Sequence, residues 1–395
     1  MSTFAQIVVW ALAVPAAAAS LYLLVLTLLS GSLGRPPRPR RRMRFEVIVP
    51  AHNEAGAIQG VIANLQRLDW RADLYRIVVV ADNCTDATAA LARAAGAQVL
   101  ERHDTQLRGK GYALAFAFES SRALDWADAV VVVDADTEVS SNLLLAFSAR
   151  LGFGAHAVQA HYGVLNAHAS WRTRLMTIAM AAFHRVRSRG RERLGLSCGI
   201  RGNGWCVTHD LLRRVPYRAF SLTEDIEYGI DLGLAGERVY YADEAHVDAT
   251  MVSGARAAAT QRQRWESGRW QLIRSRTLPL LKAAFTWRGG WVSLDLAIDL
   301  LVMPLTTIAM NVAALILASA LLMLWWPPLG AGVVVGLACA LSLLLYVLRG
   351  WQLSGVGWRG LVDLARAPFF VVWKLVVMGR TRAGTEWVRT EREVS

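Results

Sequence analysis

Apolar runs bracket this chain, and they limit its possible folds more than any other feature. Residues 7–29 hold no charged side chain. At about 1.5 Å per residue such a helix crosses a hydrocarbon layer about 30 Å thick. Pro15 to Ser20 supplies the small residues of a signal-peptide cleavage site. No basic residue precedes the run, however, and it resumes at Leu21, so a retained anchor is expected. Two further spans read as residues 297–324 and 333–348. Trp325-Trp326-Pro327-Pro328 joins them, its indoles suited to the headgroup layer and its prolines to a tight turn. Residues 369–378 are too short to span; with Lys374 and a preceding Pro368 they read as an interfacial helix.

The arginines orient these spans. Arg35, Arg38, Arg40, Arg41, Arg42 and Arg44 follow the first run, which places that side in the cytoplasm and the N-terminus outside. The net charge of +12 has its surplus beside the spans, and no aromatic-basic platform accompanies it, so nucleic acid is not the expected partner. Three regions follow: an anchor over residues 1–34, a cytoplasmic domain over 44–275, and a membrane region with a cytoplasmic tail over 276–395. Lysine occurs only at 110, 282 and 374, an arginine bias that fits a high-GC bacterium and hence an inner membrane. Cys84, Cys198, Cys206 and Cys339 form no CxxC pair, so neither disulfides nor a zinc site is expected. The basic run over residues 171–194 reads as an amphipathic helix lying against the bilayer.

Between the spans, β-branched runs alternate with helical patterns. Strands are expected at residues 45–49, 76–80, 98–100 and 130–133, with helices at 57–68, 85–95 and 111–123. That alternation argues for an α/β fold with a mainly parallel sheet and right-handed crossovers. Ligands of such sheets bind beyond the carboxyl ends of the strands. His52-Asn53-Glu54, Asp82-Asn83 and Asp134-Ala135-Asp136 fall at those ends.

Three clusters carry the chemistry. Asp134 and Asp136 follow a valine strand and suit a Mg2+ or Mn2+ ion, which takes oxygen ligands from carboxylates and substrate phosphates; a plain turn after a strand is the alternative. Thr223-Glu224-Asp225 opens a helical pattern. It is either an N-cap with dipole-complementing acids or a site in which Asp225 takes a proton as general base. Gln261, Arg264 and Trp265 share a helix face. They read as a basic membrane-edge helix, or as a guanidinium for phosphate oxygens beside a stacking plate for a sugar.

The ordered set PAHNE, ADNCTD, the lone Lys110, DAD, TED and QRQRW, lying between membrane spans, resembles the membrane-integrated family 2 glycosyltransferases. That branch includes cellulose, hyaluronan and chitin synthases and ceramide glucosyltransferases. The likeness runs from residue 45 to residue 392. It implies a GT-A-like nucleotide-sugar-binding domain together with transmembrane and interfacial helices. Pro50, Ala51, His52, Asn53 and Glu54 match the first nucleotide-contacting loop. Asp82 matches the aspartate that reads uracil, although Ala81 stands where its partner usually lies. Lys110 matches a basic residue near the donor phosphates. Asp134 and Asp136 match the metal-diphosphate motif, with Asp136 the direct ligand. Asp225, beside Glu224, matches the catalytic base, and Gln261, Arg264 and Trp265 match the motif that closes over diphosphate and acceptor. Gly202 to Cys206 sits where the family lines its acceptor site.

The implied reaction is an inverting transfer from a nucleotide diphosphate donor, UDP-linked by the match at Asp82, to a membrane-proximal or lipid-linked acceptor hydroxyl. A processive polysaccharide synthase uses the same motifs; three spans leave little for a channel without a homo-oligomer or export partner. A catalytically inactive membrane scaffold on the same fold is the remote alternative.

Overall fold

A computed structural model describes residues 2–34, 36, 37, 43–251, 255–285 and 289–366, with the backbone alone for 255–264. The chain divides into two compact units. One is helical, from residues 1–32, 174–194 and 298–381; the other carries the sheet, from residues 33–173, 195–297 and 382–395. The expected interfacial helix over 369–378, most of the arginine run after the first span, and the closing motif to residue 392 lie outside the described residues.

The sheet has eight strands: β1 (Phe45–Ala51), β2 (Tyr75–Asp82), β3 (Gln98–Arg102), β4 (Ala129–Val132), β5 (Thr137–Val139), β6 (Ala157–Val164), β7 (Trp205–Thr208) and β8 (Val239–Ala249). Their order is β3-β2-β1-β4-β7-β6-β8-β5. The pairs β1 with β2, β1 with β4, β2 with β3 and β6 with β8 are parallel, while β7 runs against both neighbours and β5 against β8. The mainly parallel GT-A-like sheet expected from sequence is therefore present. Period-two alternation divides the core. Val47, Val49, Val131 and Val133 pack on one face, and Ile48, Val130 and Val132 on the other with Trp205, Tyr217 and Tyr228. Pro50 is tolerated in β1 because pairing with β4 stops at Ile48, leaving its missing N–H outside that ladder.

In chain order the helices are α1 (Ser2–Leu28), α2 (Ile58–Leu65), α3 (Thr88–Ala94), α4 (Lys110–Leu124), α5 (Leu143–Leu151), α6 (Trp171–Met180) and α7 (Arg187–Arg193). They continue as α8 (His209–Arg214), α9 (Glu224–Leu234), α10 (Ala255–Ala284), α11 (Gly290–Leu301), α12 (Leu305–Leu322), α13 (Ala331–Ser354) and α14 (Gly357–Leu364). A π-helical turn, Ala181–Val186, separates α6 from α7.

Three helical stretches among the described residues are long and apolar enough to cross a membrane: Thr3–Leu28, Leu305–Leu322 and Pro327–Ser354. Small residues let the helices approach. A Cβ on Gly336 would lie 2.5 Å from Ile316, and one on Gly350 would lie 2.7 Å from Ala182. Two expectations change here. The apolar run over 297–324 is broken between α11 and α12 at Pro304, which has no N–H to continue a helix and instead precedes a new one. Within the run over 171–194, Arg172 and Arg193 are exposed, but Arg187, Arg189 and Arg191 turn inward. Arg187 and Arg191 are buried and pair with Asp299 at 3.1 and 3.2 Å, so the one acid in that apolar run has two partners.

Candidate active site

Because β2, β1 and β4 are adjacent and parallel, their carboxyl ends share one edge of the sheet. Two loops meet at the ends of β1 and β2. Asn53 and Asn83 adopt left-handed backbone conformations, with φ of 55° and 51°, which asparagine tolerates better than most residues. The Asn53 side chain accepts from the Thr85 N–H at 2.7 Å, and the Glu54 N–H donates to the Thr85-side loop at Thr88 Oγ1, 2.8 Å away. His52 Nδ1 lies 2.7 Å from the Asp82 carbonyl. Asp82 itself is buried, and its carboxylate accepts from Arg102 at 2.7 Å and from Asn83 at 3.2 Å. The structure thus brings together His52, Asn53, Glu54 and Asp82, with Arg102 as a partner that sequence reasoning missed. Arg102 also lies over the Tyr112 ring, which stacks on Phe220 at 4.4 Å between centroids.

Beside this edge, at the end of β4, the acidic groups converge. The Lys110 ammonium, on the first residue of α4, lies 2.5 Å from Asp134, 3.9 Å from Glu224 and 2.8 Å from the Gly202 carbonyl. Side-chain exposures of 26% for Lys110, 29% for Asp134 and 15% for Glu224 leave the cluster open to a ligand while screening it from bulk water. A Cβ built on Gly202 would stand 3.6 Å from Asp225 Oδ2, so Asp225 faces the same turn. Asp136 follows on the β4–β5 loop, partly buried.

The turn at 199–204 holds this geometry. Gly199, Gly202 and Gly204 have φ of 73°, 79° and 68°, the left-handed region that favours glycine. Asn203, fully buried, accepts from the Asp134 N–H at 3.0 Å and donates to Thr137 at 2.6 Å. Gln159 donates to the Asn203 carbonyl at 2.7 Å and accepts from the Arg201 N–H at 2.9 Å. Sequence reasoning missed Gln159 and Arg201 and read Asn203 only as part of an acceptor-lining segment, although a lone amide in the apolar strand segment Ala157-Val158-Gln159-Ala160 is a legible signal. Within the expected acceptor-lining segment, Trp205 and Cys206 are instead core residues, because β7 turns both into the sheet's packed faces.

Burial, opposed by neighbouring charges, sets the protonation states. Burial pushes the Glu224 carboxyl up to about 7, against the pull of Lys110, with Asp225 adding to the rise. Burial also raises Asp225, opposed by the Ile226 N–H, Lys110 and Arg201. For Lys110, burial pulls the ammonium down, but Asp134, Glu224 and Asp225 outweigh it and the net shift is upward.

A divalent cation fits this donor set in one way. Among the described residues no three His, Cys, Asp or Glu side chains form a cage. Asp134, Glu224 and Asp225 nevertheless outnumber Lys110 around the same turn. Such a set suits a Mg2+ or Mn2+ ion shared between strand-end carboxylates and substrate phosphate oxygens.

The third cluster lies on α10. Trp265 is partly exposed on that helix; the side chains of Gln261 and Arg264 lie outside the described residues. One turn further on, a Cβ on Gly268 would meet Thr223 at 2.6 Å, and Arg276 pairs with Glu227 at 2.9 Å and Asp231 at 3.0 Å. α10 therefore packs against the start of α9. Thr223 occupies the N-cap position of α9 without a side-chain capping bond.

A family model described as Glycosyl transferase family group 2 matches residues 129–375, and one described as Glycosyl transferase family 2 matches residues 46–204. A beta-monoglucosyldiacylglycerol synthase from Synechocystis sp. is 28% identical over 62% of this chain and 50% of its own length. A probable glycosyltransferase of Bacillus subtilis, YdaM, is 24% identical over 60% of this chain and 59% of its own. The chain thus spans about half the length of the curated relatives it matches. A mannosyltransferase from Pyrobaculum calidifontis, solved with GDP-Man and Mn2+, superposes over 87% of this chain and 98% of its own, with a TM-score of 0.51 and 18% identity.

Proposed function

We propose, for a chain that belongs to glycosyl transferase family group 2, that it transfers a sugar from a nucleotide diphosphate donor to the hydroxyl of a membrane lipid with inversion at the anomeric carbon. One observation carries this reading: Asp134, Lys110, Glu224 and Asp225 meet around the Gly202 turn at the carboxyl edge of the sheet. The domain regions over 1–34, 44–275 and 276–395, with the catalytic part on the cytoplasmic side, belong to the same proposal.

In the proposed step the acceptor oxygen bonds to the anomeric carbon as the bond from that carbon to the diphosphate oxygen breaks. Asp225 takes the acceptor proton, and the nucleoside diphosphate leaves with the electron pair. A carboxyl raised above the ordinary aspartate range is a stronger base near neutral pH. Asp136 and Asp134 would hold the divalent cation, which when bound supplies charge neutralisation to the departing diphosphate. Lys110, already held charged, serves the same phosphates, and Arg264, Gln261 and Trp265 on α10 close over diphosphate and acceptor. Pro50, Ala51, His52, Asn53, Glu54 and Asp82 shape the nucleotide end. Asp82 with Arg102 offers one acceptor and one donor, the complement of uracil N3–H and O4.

The lipid acceptor rests on the membrane-length helices and on relatives named as glucosyldiacylglycerol synthases. Single transfer follows from that acceptor. The test is release of nucleoside diphosphate from a panel of UDP- and GDP-sugars by the full chain in detergent, with and without diacylglycerol, and product length on a gel. Acceptor-dependent UDP release and a discrete glycolipid are expected. Asp225→Asn should lower the rate by about a hundred- to a thousandfold, a loss of ~3–4 kcal/mol, with UDP affinity retained. Near-normal turnover by that variant would remove the base assignment, and a polymer ladder would replace the lipid acceptor with chain extension.

A further inference from the structure

One side chain ties off the segment that holds Glu224 and Asp225. Glu227 Oε2 accepts from the Ser221 N–H at 3.0 Å, so both acids lie inside the loop of chain, residues 221–227, that this bond closes. The other oxygen of Glu227 accepts from Arg276 of α10 at 2.9 Å. The Glu227 side chain is only 14% exposed, which limits competition from water at both bonds. Arg276 also pairs with Asp231, one turn further along α9, at 3.0 Å. Among the described residues the Asp231 side chain shares Arg276 but forms no bond to the 221–223 loop.

That loop is seated on the first turn of α4, directly behind the ammonium of the site. The Ala219 carbonyl packs onto Gly111, where a Cβ would collide with it, and Phe220 stacks on Tyr112 at 4.4 Å between centroids. Gly111 and Tyr112 follow Lys110 in that turn. The Thr223 N–H donates to Ser221 Oγ at 3.4 Å, which carries the order of the loop up to Glu224, 3.9 Å from Lys110. A clasp that merely stabilised the helix pair would make Glu227 and Asp231 equivalent, since both hold Arg276. The bond to Ser221 separates them.

We infer that Glu227 is a positioning residue: bonded to Ser221 and Arg276, it fixes the segment carrying Glu224 and Asp225 against Lys110 on one side and α10 on the other. Its consequence for turnover rests on the glycosyl-transfer reading, in which Asp225 takes the acceptor proton. A displacement of about 1 Å in a reacting group can cost about a hundredfold in rate. Glutamine at 227 keeps an oxygen for the Ser221 N–H but loses the charge that draws Arg276, and alanine loses both.

Two measurements on the full chain in detergent test this: steady-state release of nucleoside diphosphate, and amide hydrogen exchange. Glu227→Gln should lower kcat about tenfold and Glu227→Ala about thirtyfold, with the donor KM within about twofold of the wild type. Arg276→Lys should keep most of the rate, and Asp231→Asn should leave kcat within about twofold. Amides of residues 219–225 should exchange at least about tenfold faster in Glu227→Ala and at the wild-type rate in Asp231→Asn. Equal losses of kcat in Glu227→Ala and Asp231→Asn would reduce Glu227 to a stabilising clasp and overturn the proposal. A raised donor KM at full kcat would overturn it too, by placing Glu227 in donor binding. Unchanged exchange at 219–225 in Glu227→Ala would overturn it whatever the chain transfers. Faster exchange there, in a chain whose wild type releases no nucleotide, would uphold the positioning role and remove the glycosyl-transfer reading alone. If Glu227→Ala does not fold, Glu227→Gln is read by the same two measurements.

Discussion

At the scale of single residues, Glu224 has the most to reveal. Its carboxyl is pushed up to about 7 from an ordinary 4.5, chiefly by burial. Between those values the folded protein binds a proton that the unfolded chain has released. Stability therefore falls as pH rises through this window, and above about 7 the full cost of the buried charge is present. Glu224→Gln should flatten that dependence. Thermal unfolding at pH 5 and pH 8 should give a smaller difference for the variant than for the wild type; an unchanged difference would mean that Glu224 ionises freely in the fold. Asn203 makes a second test at this scale. Its side chain accepts from the Asp134 N–H and donates to Thr137 in a fully buried position. Asn203→Ala leaves a buried N–H without a partner and should cost about 1–3 kcal/mol, read as a lowered denaturation midpoint. An unshifted midpoint would show that water or a rearranged turn replaces the amide.

At the scale of elements, what the sequence shows is periodicity and punctuation, and what it hides is contact between distant segments. The valine run of β4, apolar at every position, announced a strand covered on both faces. The acids after it fall, as expected, at the carboxyl edge of the sheet. Nothing local distinguishes Trp205, a core residue, from an acceptor-lining one, because the direction of β7 is set by pairing with β4 and β6. The arginines of α7 mislead in the same way. Their spacing suggests a surface helix, and it is partners from distant segments, Asp299 with Tyr346 and Tyr22, that make burial of Arg187 and Arg191 tolerable. The contact of α10 with Thr223 is equally invisible in sequence, and it gives a test at this scale. A Cβ on Gly268 would lie 2.6 Å from Thr223 Cγ2. Gly268→Ala should therefore push α10 away from the start of α9, costing about 1–3 kcal/mol in overpacking. Transfer should slow at least tenfold, a barrier increase of about 1.4 kcal/mol. Thr223→Ser, which removes the clashing methyl, should restore part of the rate in the double variant. A normal rate in Gly268→Ala would show that the seating of α10 on α9 is immaterial to turnover.

At the scale of the whole molecule, the chain combines a mainly parallel GT-A-like sheet with helices of membrane length. The sheet was legible because β-branched runs alternate with helical patterns, as they do in a parallel α/β unit. The three helices of membrane length were legible because bilayer thickness suggests a length that few other structures require. Arg102, Gln159 and Arg201 were not, since their roles exist only once separated strands are adjacent. The charge of the site then determines how the molecule should answer to metal. Carboxylates from the β4–β5 loop and from α9 crowd one ammonium, and a nucleoside diphosphate would bring further negative charge to the same edge. Without a cation that encounter is repulsive; with Mg2+ or Mn2+ shared between Asp136 and the phosphates it becomes attractive. UDP binding followed by calorimetry should weaken at least tenfold when a chelator removes the metal. Asp136→Ala should show the weak affinity whether or not metal is supplied. Lys110→Met removes the ammonium but leaves the carboxylates, so it should weaken UDP binding while keeping the metal dependence. Equal UDP affinity with and without chelator in the wild type would show that Lys110 and the α10 guanidiniums neutralise the diphosphate unaided, and the strand-end aspartates would then need another role.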